Sequence, residues 1–136
     1  MTTLAPHLGG HMNKTHVDEG AFKWLLSTGV KSFLDIGCGP GGMVKLANEN
    51  KIRAIGVDGD YTVTRFDPTY FIIHDYTTGS PMLAEKYDVA WSIEFLEHVE
   101  EQYMPNYMQT FQCAKSAVVT YAPPGWDGHH HVNLKE

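Results

Sequence analysis

Cysteine is scarce: Cys38 and Cys113 are the only two in 136 residues. That number gives no disulfide framework, and a reduced, cytoplasmic setting is the default expectation. No apolar run approaches the roughly 20 residues that a membrane-spanning helix needs, so no membrane span is expected. Met1 to Gly10 lack both a basic cluster and an apolar stretch of the kind that opens a secretory signal. Positive charge is also short, with 10 Lys and Arg against 16 Asp and Glu and a formal net charge of −6. Such a surface is poorly matched to a long phosphate backbone, and a small-molecule partner suits it better than nucleic acid. Repeats, low-complexity tracts and Ser/Pro-rich linkers are absent. What is present, 43% hydrophobic and 12% aromatic residues, is enough for one domain with an ordinary core over residues 1–136.

The stretch through Thr15 is polar, carries Pro6, Gly9 and Gly10, and reads as a flexible arm, residues 1–15. Val17, Ala21, Trp24 and Leu25 recur at helical spacing, which predicts a helix over Val17 to Ser27 that ends near Gly29. Short apolar runs predict strands at Ser32–Ile36, Arg53–Val57, Tyr70–His74, Tyr87–Ile93 and Ser116–Tyr121. Between them, Met43–Glu49 is helical, Asp58–Pro68 is loop with at most one helical turn, and Thr77–Pro81 is rich in turn residues. Leu96 to Ala114 is expected to be mostly helix, interrupted near Pro105, and Pro123 to Gly128 to be loop. Strands alternating with helices predict an α/β fold with a parallel sheet and right-handed crossovers. In such sheets ligands bind at the carboxyl ends of the strands, so the residues just after each strand are the informative ones.

Four stretches stand there. The first is Asp35-Ile36-Gly37-Cys38-Gly39-Pro40-Gly41-Gly42. Glycines let a backbone turn sharply and approach a ligand without Cβ interference. Alone, the run is ambiguous: Gly37, Gly39 and Gly42 satisfy G-x-G-x-x-G, while Gly37, Gly39 and Gly41 satisfy G-x-G-x-G. The second is Ile55-Gly56-Val57-Asp58, with its acid 21 residues after Gly37. A carboxylate there can accept from both hydroxyls of a ribose; equally, Asp58-Gly59 is a turn dipeptide. The third is Ile72-Ile73-His74-Asp75-Tyr76, whose Asp75 can accept an exocyclic amine or cap a turn. The fourth runs from Tyr87-Asp88-Val89-Ala90-Trp91-Ser92-Ile93 into Glu94-Phe95-Leu96-Glu97-His98-Val99. At the start of a helix Glu94 and Glu97 share a face, with His98 one turn beyond Glu94; acids there also answer the helix dipole.

Taken as an ordered set, D-I-G-C-G-P-G-G, G-V-D, H-D and Y-D-V-A-W-S-I-E-F-L-E-H-V resemble the class I S-adenosylmethionine (SAM)-dependent methyltransferases over about Ser32 to Tyr121. Within them the chain looks most like the small-molecule branch that includes the ubiquinone-biosynthesis O-methyltransferases. The resemblance implies a Rossmann-like sheet of order 3-2-1-4-5, SAM as cofactor and S-adenosylhomocysteine as product. It implies that Asp35 helps hold the methionine amino group and that Gly37, Gly39 and Gly41 let the backbone pass along methionine and ribose. Asp58 would bind the ribose hydroxyls, Asp75 the adenine amine, and the Tyr76 backbone N–H an adenine ring nitrogen. Ser92, through its carbonyl, and Glu94 would face the methionine end near the transferred methyl. His98 is the candidate general base, since an unperturbed imidazole titrates near neutrality; a packing or capping histidine is the other reading of the same residue. Glu94-x-x-Glu97-His98 also resembles the divalent-metal motif of small-RNA 2′-O-methyltransferases, which a later histidine such as His129, His130 or His131 would complete. E-x-L-E-H occurs in methyltransferases without a metal, and no metal is assigned.

Departures from the family pattern are two. The usual sheet has seven strands, the last two a hairpin beside strand five, and the chain stops at Glu136 shortly after strand five; the hairpin is expected to be lacking. The connection after strand two is too short for a full helix. A SAM-binding module without transferase activity is therefore the alternative to an enzyme. A nicotinamide-dependent oxidoreductase is permitted by the glycine run, but Asp75, the Glu94 to His98 cluster and the absence of room for a catalytic domain argue against it. Strand five is expected at a sheet edge, and Ala117 to Tyr121 contains no Lys, Arg or Pro to blunt it; the edge is expected to be covered, first by a second copy in a homodimer through residues 117–121 and otherwise by the C-terminal residues folding back.

Overall fold

The computed structural model describes residues 18–93, 95–96 and 99–120. The first expected strand, β1 (Ser32–Ile36), is buried at every position. A strand can be so only where both faces of its sheet are covered, as in parallel α/β folds. It lies at the centre. β1 pairs with β2 (Arg53–Asp58) on one side and β4 (Tyr87–Ile93) on the other; β3 (Phe71–Ile73) lies outside β2 and β5 (Ala114–Thr120) outside β4. All four ladders are parallel, and the order is β3-β2-β1-β4-β5. Fold class and strand order are those that the sequence implies.

Side chains alternate between the two faces of the sheet. Phe33, Val89 and Trp91 join one buried cluster with Phe22 and Leu25 of α1 (Glu19–Ser27) and Met43, Val44 and Ala47 of α2 (Gly42–Glu49). Leu34, Ile36 and Ala90 point the other way, to Tyr107 of α3 (Met104–Phe111) and to Tyr76 and Tyr87. The sheet thus carries one core on each face. Asp35, in step with Phe33, belongs by register to the α1–α2 side.

Element boundaries differ from the expectations where a capping group decides them. α1 starts at Glu19 because the Asp18 carboxylate accepts the Ala21 N–H at 2.9 Å, an N-cap bond; Val17 lies outside the described residues. β3 is shorter than Tyr70–His74, because Asp67 caps a 3₁₀ turn over Pro68–Tyr70 that takes Tyr70 out of the sheet. The long helix expected over Leu96 to Ala114 is corrected. α3 covers only Met104–Phe111 after a 3₁₀ turn at Glu101–Tyr103, and Pro105 sits in its first turn. A proline lacks only an N–H that a first turn leaves unbonded anyway, so Pro105 opens this helix instead of interrupting one. Ala114 already belongs to β5, two residues earlier than expected. The arm over 1–15, the loop from Pro123 to Gly128 and Tyr121 lie outside the described residues. So does 121–136, on which the missing-hairpin expectation bears; the described residues contain five strands.

Candidate active site at the carboxyl edge of the sheet

Every strand of the sheet runs the same way, so the residues that follow β1, β2, β3 and β4 come out on one edge. After β1 the chain does not leave the sheet at once: the N–H groups of Gly37 and Cys38 both donate to the Val57 carbonyl, at 2.7 and 3.1 Å. This pins the glycine loop across the end of β2. Two of its glycines are required sterically. Gly37 has φ +78°, and a Cβ there would collide with the Phe95 ring; Gly41 has φ +94°, and a Cβ there would collide with the Phe71 ring. Both lie in the left-handed region that side chains avoid. The loop is therefore gripped by two aromatic rings, one following β4 and one opening β3. Gly39, with φ +55°, lies between them.

Asp35 precedes this loop and is 3% exposed. Burial pushes its carboxyl well above the ordinary 3.8, the charge of Asp58 adds to the rise, and no hydrogen bond from the described residues offsets either. A carboxylate in this condition is costly for the protein alone and suited to a cationic or hydrogen-bond-donating ligand. Asp58, the last residue of β2, is differently placed. Its Oδ2 accepts the Asp60 N–H at 3.0 Å and Nη2 of Arg65 at 3.1 Å. The first bond is the turn geometry that Asp58-Gly59 suggests; the second is an ion pair in which the Arg65 and Asp58 side chains are only 5% and 12% exposed.

Asp75 follows β3 as the N-cap of the turn Tyr76–Thr78, and its Oδ1 accepts from the Thr77 N–H and hydroxyl at 2.9 and 2.8 Å. The capping function is thus present at the carboxyl edge. The Tyr76 side chain faces away from solvent. Its hydroxyl donates to Thr110 Oγ1 at 2.7 Å, and its carbonyl accepts from Asn106 Nδ2 at 2.7 Å. Burial pushes its phenol far up, so it stays a neutral hydroxyl. Ser92, fully buried, donates its hydroxyl to the Ile36 carbonyl at 3.0 Å and so ties the end of β4 to the end of β1. Phe95 packs edge-on against Tyr76 and Tyr107, with ring centroids 5.8 and 5.6 Å apart.

The structure therefore brings Asp35, Gly37, Gly39, Gly41, Asp58, Asp75, Tyr76 and Ser92 to one edge. Glu94 and His98, with Glu97, lie outside the described residues, as do His129 to His131. Among the described residues no three His, Cys, Asp or Glu side chains group to hold a metal ion. Three residues that the sequence did not single out shape the edge: Phe71, Phe95 and Arg65. Only Arg65 carried a signal, as the one Lys or Arg between Arg53 and Lys86.

A family model described as a methyltransferase domain matches residues 13–121. The comparison with curated proteins returned no match. Among solved structures, the chain is similar to the methyltransferase domain of bacterial CtHen1 in two forms. One has 18% identity and a TM-score of 0.56 over 85% of this chain and 71% of that one. The other has 19% identity and a TM-score of 0.57 over 77% of this chain and 63% of that one. The plantazolicin methyltransferase BpumL, solved with S-adenosylhomocysteine, is 20% identical with a TM-score of 0.51 over 69% of this chain. The chain spans only 40% of BpumL. At these identities the likenesses show a shared fold.

Proposed function

Because this chain belongs to the methyltransferase-domain family, we propose that it is a class I SAM-dependent methyltransferase acting on a small-molecule acceptor, in the manner of the ubiquinone-biosynthesis O-methyltransferases. The observation that carries the cofactor is Asp35: a buried carboxylate with no hydrogen-bond donor among the described residues, next to a glycine loop whose Gly37, Gly39 and Gly41 take left-handed backbone. It fits the ammonium of a methionine moiety. Asp58 is assigned to the ribose hydroxyls, and Asp75 to the adenine amine. When bound, SAM supplies a methyl group already activated by its sulfonium, and S-adenosylhomocysteine remains.

The protein's work is then alignment and proton handling. The glycine loop and Ser92 fix the ends of β1 and β4 relative to one another, and in-line alignment of this kind is worth several orders of magnitude in rate. Glu94, bonded between Ile93 and Phe95, is assigned to the acceptor side. His98 is assigned as the base that takes the acceptor's proton. The deficit of basic residues supports a small acceptor over a polyanion. Both thiols, Cys38 and Cys113, are unpaired, in keeping with a reducing cytoplasm, and no helix among the described residues is long and apolar enough to cross a membrane.

Calorimetry with S-adenosylhomocysteine and with NADH tests the cofactor. Binding of the first and not the second is expected, and the reverse would overturn the reading. Mass-spectrometric detection of methyl transfer to a panel of phenols, carboxylic acids and amines then identifies the acceptor class.

A further inference from the structure

The link between β2 and β3 has no α-helix to fold it, only the 3₁₀ turn Pro68–Tyr70, yet it is held by one buried side chain. Arg65 donates from Nε to the Gly39 carbonyl at 3.0 Å, from Nη1 to the Asp60 carbonyl at 3.0 Å and from Nη2 to Asp58 Oδ2 at 3.1 Å. Its guanidinium also lies 5.5 Å from the centre of the Phe71 ring, and Phe71 is the ring against which Gly41 rests. One planar group therefore joins the glycine loop, at Gly39 directly and at Gly41 through Phe71, to the acidic end of β2. We propose that Arg65 is a positioning residue of the cofactor site: it fixes the Asp58 carboxylate relative to the glycine loop and so sets how strongly the site reads the ribose hydroxyls.

Three considerations favour orientation over bulk stability. A buried ion pair gains little net stability over apolar packing of the same volume, because both charges must be desolvated. The charged partner of Arg65 is the very residue assigned to the ribose. All three nitrogens of the guanidinium are also used, with three separate acceptors on two segments, which a lysine ammonium cannot reproduce at one position. The inference rests on the reading of SAM as cofactor.

The test compares S-adenosylhomocysteine with its 2′,3′-dideoxy analogue by calorimetry, on the wild-type chain and on Arg65→Lys and Arg65→Gln. Wild type is expected to bind the analogue about tenfold or more weakly, the loss of charge-assisted hydrogen bonds. In both variants the ratio should shrink to about threefold or less, through a larger loss for the full ligand than for the analogue. A general loosening of the loop lowers both affinities alike, and equal losses would overturn the inference. Wild-type binding without discrimination between the ligands would also overturn it and leave the proposed cofactor standing. No binding of S-adenosylhomocysteine to wild type would overturn both. Should neither variant retain a cooperative melt, the structure of the wild-type complex decides. Arg65 hydrogen-bonded to Asp58 while Asp58 meets the ribose supports the proposal, and a guanidinium displaced from Asp58 refutes it.

Discussion

Asp35 and Asp58 lie near the carboxyl ends of two neighbouring strands, and only one of them is neutralised: Asp58 has Arg65, whereas Asp35 has burial and the repulsion of Asp58. The pair divides one site into a part that the protein completes by itself and a part that it leaves to a ligand.

The first prediction concerns Asp35→Asn. A carboxyl whose folded-state pKa is raised binds its proton more tightly when folded than when unfolded. Its contribution to stability is full below the ordinary 3.8 and is lost as pH rises from there through the raised value. At pH 7 the ligand-free protein thus bears a penalty that asparagine removes. Thermal melts should show Asp35→Asn more stable than wild type at pH 7, with the difference shrinking toward pH 4. Affinity for S-adenosylhomocysteine should fall about tenfold or more. A variant less stable than wild type at pH 7 would show that Asp35 has a structural partner.

Gly37→Ala should be costly for two reasons that add. The left-handed backbone strains any side chain, by about 1 kcal/mol or more, and the Cβ meets Phe95. Urea denaturation should register a loss of roughly 2–4 kcal/mol. Combining it with Phe95→Ala should recover the steric part and not the backbone part. Complete recovery in the double variant would mean that the positive φ is not maintained.

His98→Ala separates the two readings of that histidine. If it takes the acceptor's proton, turnover should drop about 100-fold or more, with affinity for S-adenosylhomocysteine within about twofold of wild type. Parallel loss of both, seen in steady-state kinetics beside calorimetry, would assign His98 to packing. Activity unchanged by a chelator is expected as well, since no metal is assigned.

Among the described residues β5 pairs only with β4, and Ser116, Ala117 and Val119 are exposed. An open edge of this kind recruits a further strand. Sedimentation velocity at low micromolar concentration should find a dimer, and Val119→Lys should convert it to monomer. A monomeric wild type would remove residues 117–121 as an interface.

Which of these features the sequence discloses depends on how far apart the cooperating residues are. β1 and β4 have the predicted bounds, Ser32–Ile36 and Tyr87–Ile93, because central strands are continuous apolar runs closed by turn residues. The loop after β1 is equally legible from its glycine spacing, whereas the strand order comes from the family resemblance. Pro105 reads as a helix break in the sequence because a proline looks the same whether it breaks a helix or begins one; the acceptors in the preceding turn decide. Arg65 stands out in the sequence only as a lone cation, and its role is not legible there because its three acceptors, at Gly39, Asp58 and Asp60, come together only after β1 and β2 pair. Phe71 and Phe95 read as ordinary core aromatics for the same reason. Nothing local announces that each abuts a glycine.

The parallel sheet carries one more consequence, for synthesis on the ribosome. The centre of the sheet pairs Phe33, Leu34 and Asp35 with Val89, Ala90 and Trp91, a separation of 56 positions, and none of the ladders can be closed by a tight hairpin. A nascent chain that has released β1, α2 and β2 still presents one side of β1 unpaired until β4 emerges. At typical elongation rates of about 5–20 residues per second that interval lasts seconds. During it, the hydrophobic Phe33–Ile36 segment is an open template, and its natural protection is whatever binds extended apolar chain as it leaves the exit tunnel.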